Sequence, residues 1–159
     1  MQNEDHARIW AEWHRASSSR DQAALLALYA EDAVLEAPLI PAILKGHPSG
    51  VVRGRTQIKH FLDEAARQSP ATAMPGVVML WWRTGTWFSA GDTLVWEYPR
   101  ETPDGEQIDI LEVMDIRGGL IRHHRVYWGW KACSLVAPAL TVAARKDERA
   151  RTQSAVVSG

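Results

Sequence analysis

The stretch "IDILEVMDIRGGLIRHHRVYWGW", residues 108–130, holds the side chains best suited to chemistry. Alternate positions of its first half, Ile108, Ile110, Glu112, Met114 and Ile116, form one apolar face interrupted by a single carboxylic acid. Such alternation marks a half-buried strand. After "RGG" a second run sets Leu120, Arg122, His124, Val126, Trp128 and Trp130 on one face, and Ile121, His123, Arg125, Tyr127 and Gly129 on the other. Residues paired across a hairpin share a face. A three-residue turn with glycine in the left-handed region pairs Ile116 with Leu120 and so sets Glu112 opposite His124, inside. A two-residue turn would instead pair Glu112 with Arg125 at the surface. The first register is preferred because it buries two tryptophans rather than two charges.

A buried carboxylate is costly unless a partner is supplied, and a histidine beside it is the natural one. In isolation such a pair is more often a structural ion pair in a core. The surrounding Trp96, Tyr98, Trp128 and Trp130 shift the balance, because broad aromatics around one acid resemble the wall of a ligand pocket. The chemistry open to the pair is general acid–base proton transfer.

Other constellations are weaker. His123 and His124 are adjacent in a strand, face opposite ways and have no further ligand at metal spacing, so no metal is expected. "GHPSG" and "GVVRG" lack the lysine and helix start of a phosphate loop, and no serine stands in a nucleophile elbow. Cys133 reads as a small buried hydrophobe. His14 and His60 read as helix-flank or surface residues and His47 as a solvated loop residue. Trp10 and Trp13 suit either a core or a pocket wall.

The elements that must carry these residues follow from periodicity. Ile9, Trp10, Trp13 and Ala16 recur at helical spacing over residues 4–17. Asp21 is a fitting N-cap for a second helix, "QAALLALYAED". "AVLEAP" is a short strand stopped by Pro38. Residues 39–53 read as a long apolar loop, of the kind that closes over a pocket. "TQIKHFLDEAARQ" is a third helix with Ile58, Phe61, Leu62 and Ala65 inward. From Pro75-Gly76 the period changes to alternation, through "VVMLWWRTGTWF" and "TLVWEYPRE" to the final hairpin, with turns at "SAGD", "TPDG" and "RGG". After Lys131 the pattern fades, and residues 147–159 read as a disordered tail beyond a single domain over 1–146. The class is α+β: a layer of three helices on a meander of strands.

The totals bound the function. The 159 residues suffice for one domain with a real core. A net charge of −1 leaves no basic footprint for nucleic acid or a membrane surface. One cysteine excludes an internal disulfide. The opening "MQNEDHARIW" has no apolar core of a signal peptide, so the expected compartment is the cytoplasm. Tryptophan is enriched, with eight against two phenylalanines and three tyrosines.

Helix, helix capped at "RD", "LYAEDAVLEAP", a helix with Gly54, Ile58 and Phe61 in "G-x-x-x-I-x-x-F", and a meander closing on "G-x-I-x-x-x-x-V-Y-W" together resemble the NTF2-like superfamily in its SnoaL-like branch, over roughly residues 9–131. The resemblance implies a cone, in which a curved, mainly antiparallel sheet wraps helices around a deep pocket. The superfamily includes ketosteroid isomerases, polyketide cyclases, scytalone dehydratase, limonene-epoxide hydrolase and non-catalytic binding or dimerisation modules. Ketosteroid isomerases place a basic aspartate where this chain has Ala37. Their oxyanion-binding acid falls at Glu112, their oxyanion tyrosine at Trp13, a supporting tyrosine at Leu62, and the last of that network at Tyr29. The essential aspartate of limonene-epoxide hydrolase falls at Val126. The acid is kept and most of its company is not, so the looser acid–base arrangement of the polyketide cyclases is the nearer match. The expectation is a cofactor-free enzyme acting on an apolar cyclic or polyketide-like molecule, with Glu112, His124 and Tyr29 catalytic and Trp13, Leu62, Trp96, Tyr98, Ile110, Val126 and Trp128 lining the pocket. A non-catalytic binder and an epoxide hydrolase-like enzyme are the alternatives. The mixed outer face of the sheet, with Leu111, Val113, Ile121 and Tyr127, suggests a homodimer.

Overall fold

A computed structural model describes residues 2–73, 78–79, 87–101 and 107–157. Its elements are α1 (Gln2–Ser19), α2 (Gln22–Ala27), β1 (Tyr29–Glu36), α3 (Ile40–Ile43), β2 (Val51–Arg53), α4 (Gly54–Ala73), β3 (Val78–Met79), β4 (Phe88–Ala90), β5 (Thr93–Glu101), β6 (Gln107–Arg117), β7 (Leu120–Trp128) and α5 (Trp130–Val157). The class is α+β, with a mixed sheet in the order β2-β1-β7-β6-β5-β3 and β4 also paired to β5. The β1–β7 pair is parallel and the others are antiparallel. Most of the strand expected over "VVMLWWRTGTWF", and the "TPDG" turn, lie outside the described residues. No helix among the described residues is long and apolar enough to cross a membrane.

Helix α1 buries Ile9, Trp13 and Ala16, spaced i, i+4 and i+7 along one face. Asp21 caps α2 as expected, its carboxylate accepting from the Ala24 amide at 2.9 Å. The second helix ends at Ala27, short of the expected "LYAED" turns. There the Leu28 carbonyl accepts from the Ile121 amide and Tyr29 starts β1 beside β7, so strand pairing overrides local helix propensity. Ile58 and Phe61 face the core from α4, with Leu62 and Ala65 packed against it.

Two further readings are corrected. Residues 39–53 are not an open loop: Ile40, Pro41 and Ile43 of α3 are buried, and Val51–Arg53 forms β2 on the edge beside β1. One turn of helix is too short to show periodicity, and its apolar residues serve the core. The segment 147–159, read as a tail, continues α5 to Val157. Ala132, Val136 and Ala143 anchor that helix, and Asp147 meets Arg151 at 2.6 Å one turn on.

The β6–β7 hairpin also departs from the expected register. Gly118 and Gly119 both take positive φ, 59° and 71°, and Arg117 pairs with Leu120 across a two-residue turn. This geometry matches the twist of the strands and is open to glycine at both positions. It sets Ile116 opposite Ile121, which is fully buried. A bulge at Arg122 then inserts one residue, so Asp115 pairs with His123, Met114 with His124 and Glu112 with Val126. The bulge reverses the parity of β7: Arg122 is exposed, whereas His124 turns inward. Glu112 and His124 therefore share the inner face as expected, as diagonal neighbours rather than a direct pair. Trp130, expected inside, begins α5 and is 87% exposed, because the strand ends at Trp128.

Candidate active site

Four elements deliver one chain of hydrogen bonds. From β7, His124 Nε2 meets Glu112 Oε2 of β6 at 2.5 Å, and His124 Nδ1 meets the Tyr29 hydroxyl of β1 at 2.6 Å. The Trp13 indole N–H of α1 donates to the same hydroxyl. A neutral imidazole protonated on Nε2 satisfies the chain: Tyr29 donates to Nδ1, and Nε2–H donates to the Glu112 carboxylate. Glu112 and His124 are only 2% and 3% exposed, and Tyr29 is as deeply buried. In such a medium charge-assisted bonds are strong and an unpaired charge is expensive.

Electrostatics assign Tyr29 a fixed role. Burial pushes its phenol pKa far above the ordinary range, and the negative charge of Glu112 pushes the same way. The Trp13 bond opposes both and is the weaker influence. Tyr29 therefore stays protonated and acts as a donor that orients His124.

The wall around the carboxylate is aromatic. Trp96 of β5 stands opposite Glu112, and Val126 of β7 stands opposite it on the other side. Ile110 pairs with Trp128, one step along the same face. Trp13 packs edge-on to Trp96 with centroids 5.2 Å apart. The structure thus brings together Glu112, His124, Tyr29, Trp13, Trp96, Ile110, Val126 and Trp128. Tyr98 lies opposite Ile110 in the ladder, but its side chain is outside the described ones. Leu62 packs on the core from α4, and no described contact joins it to the chain.

His14, expected at the helix flank, packs among tryptophans instead. Its ring lies 5.5 Å from Trp96 and 4.6 Å from Trp10, and Glu112 acts on it electrostatically. Burial lowers its pKa, while the bond to the Trp10 carbonyl (2.7 Å) and the charge of Glu112 partly restore it. That bond places the proton on Nδ1. The i, i+4 relation of His14 to Trp10 was the available signal, since it puts both on one helix face.

Three other histidines, His123, His47 and His60, lie elsewhere. His123 turns to the outer face and meets Glu36 at 2.5 Å. His47 and His60 line a polar cleft of about 850 Å³ between α3 and α4, which contains none of the residues above. No three His, Cys, Asp or Glu side chains among the described residues come together as metal ligands.

Comparison with known proteins places this geometry in a family. The SnoaL-like domain matches residues 10–124. No curated protein matches the chain. Among solved structures, the chain is similar to an NTF2-like protein of unknown function from Mesorhizobium loti, with 23% identity over 81% of this chain and 94% of the other and a TM-score of 0.56. It is similar to TerC co-crystallised with polyporic acid, with 17% identity, coverage of 84% and 98%, and a TM-score of 0.60. It is also similar to a candidate ketosteroid isomerase from Kribbella flavida, with 17% identity, coverage of 79% and 78%, and a TM-score of 0.55. At these identities the likeness concerns the fold.

Proposed function

The chain belongs to the SnoaL-like domain family, and we propose that it is a cofactor-independent enzyme moving protons on an apolar cyclic or polyketide-like small molecule. The observation that carries this reading is the buried Tyr29–His124–Glu112 chain. A core needs no such relay for stability, since well-packed apolar residues of similar volume are often as stable as a buried ion pair. Glu112 takes a proton from a carbon acid and later returns it, His124 orients the carboxylate through Nε2–H throughout, and Tyr29 holds His124 in one tautomer. Isomerisation, ring closure and elimination all need only this. The names of two structural neighbours, one crystallised with polyporic acid and one a candidate ketosteroid isomerase, lend support. Val126, where limonene-epoxide hydrolase carries its essential aspartate, argues against epoxide hydrolysis. The rival reading is a binding protein whose acid only fixes a ligand's polar end, and the closed, internally satisfied chain is the observation in its favour.

The two readings separate on Glu112→Gln and His124→Gln. Deuterium exchange next to the carbonyl of 1-tetralone in D2O, followed by NMR, reports proton transfer directly. The expected result is acceleration by the wild type and a loss of about 10²–10⁴-fold in Glu112→Gln, with the folded fraction unchanged in melting curves. Exchange left intact in a destabilised Glu112→Gln would sink the catalytic reading.

A further inference from the structure

We propose that the indole N–H groups of Trp10, Trp96 and Trp128 form a donor set that recognises the oxygen atoms of a flat, oxygen-bearing aromatic substrate; this rests on the reading of Glu112 and His124 as a proton-transfer site and names the class of its substrate. All three Nε1 atoms are shielded from solvent, and none has a hydrogen-bond partner among the described residues. An indole N–H can only donate. Buried polar groups are nearly always partnered, so three unpartnered donors call for an explanation. Trp13 supplies the contrast: where an acceptor is within reach, its N–H uses it, bonding to Tyr29.

The three come from three elements that meet at the inner face around Glu112. Trp96 stands opposite Glu112 on one side of β6, and Trp128 stands opposite Ile110 on the other. Trp10 lies one turn before His14, whose ring is 5.5 Å from Trp96. A wall of donors fits a partner that only accepts, such as a carbonyl, an ether or an enolate oxygen. The broad indole faces fit a planar frame. Together they select a polyoxygenated aromatic over a plain hydrocarbon or a polyol.

The test uses 9-fluorenone and fluorene, which share one flat frame and differ by a carbonyl oxygen, in equilibrium dialysis against the whole protein. Wild type should hold fluorenone about tenfold more tightly than fluorene, the value of one good hydrogen bond to a desolvated donor. Trp96→Phe should bring that ratio toward one while changing fluorene affinity little. Trp96 is fully buried, so Trp128→Phe and Trp10→Phe, at partly exposed positions, repeat the test should Trp96→Phe fail to fold. Equal binding of the two probes, no binding of either, or an unchanged ratio in every folded Trp→Phe variant overturns the proposal. Fluorenone has no hydrogen on the carbons next to its carbonyl, so its binding is independent of proton transfer. Lost discrimination with Glu112-dependent exchange of 1-tetralone removes the donor set alone. Lost exchange with discrimination kept removes the catalytic reading alone.

Discussion

Tyr29 is where the buried chain meets solution pH. Its phenol ordinarily titrates near 10.0 and is raised in the native state, first by burial and then by Glu112. A group raised on folding keeps its proton when the unfolded chain has already lost it. Its contribution to stability is complete below pH 10 and is lost as pH rises above that value. We therefore expect urea denaturation between pH 8 and 11 to show a falling stability that Tyr29→Phe flattens. The tyrosinate absorbance of Tyr29 should appear only with unfolding, and equal alkaline slopes in wild type and Tyr29→Phe would refute this. The residues of the chain were legible because each interrupts an apolar pattern: Glu112 among isoleucines, His124 beside tryptophans. His14 was not, because a helix face read from apolar residues alone assigns a polar one to the flank, whereas its packing among tryptophans is tertiary.

Between the residues and the fold stands the β6–β7 hairpin, whose parity decides what faces the core. The double glycine signals a two-residue turn, and that turn alone would send His124, Val126 and Trp128 outward. Arg122 restores them as an inserted residue. Periodicity alone points to the correct inner face but to a three-residue turn, because a bulge leaves no pattern of its own: an exposed arginine in an alternating run looks like any other. The same limit hid α3, one turn long, and α5, whose anchoring residues Ala132, Val136 and Ala143 are small or widely spaced. Arg122 tests the role of the bulge. Arg122→Ala removes only an exposed pair with Asp32, 2.7 Å away, and should cost about 1 kcal/mol or less. Inserting one alanine after Arg122 should turn Arg125 inward and His124 outward, and cost more than about 4 kcal/mol or abolish folding. Urea melts of the two variants compare them directly. An insertion as stable as Arg122→Ala would show that the count of residues at the bulge does not set the face.

At the scale of the molecule, the class, the inner face of the sheet and the family resemblance were readable from 159 residues, while assembly depends on a surface that periodicity describes only in part. The outer face of the sheet carries Leu111 and Tyr127 side by side in the β6–β7 ladder, 36% and 53% exposed, with Phe88 at 68% on β4. Ile121, assigned to that face by the expected register, is buried instead. Like charges oppose the pairing of two identical faces, and here the arginines of the face are matched within the chain. Arg125 meets Asp115 at 2.7 Å, and Arg117 meets Asp92 at 2.8 Å. Such a face carries little net charge, so its apolar residues can meet their own copies about a two-fold axis without like-charge repulsion. We propose a homodimer through this face, leaving the buried chain of Glu112, His124 and Tyr29 on the opposite side of each sheet. Light scattering at micromolar concentration should give about twice the 17.8 kDa of one chain. The double substitution Leu111→Asp and Tyr127→Asp adds four unmatched negative charges across the two-fold and should yield a folded monomer whose ligand binding is unchanged. A wild type that scatters as a single 17.8 kDa chain rules the dimer out. A double variant that remains dimeric moves the interface to another face.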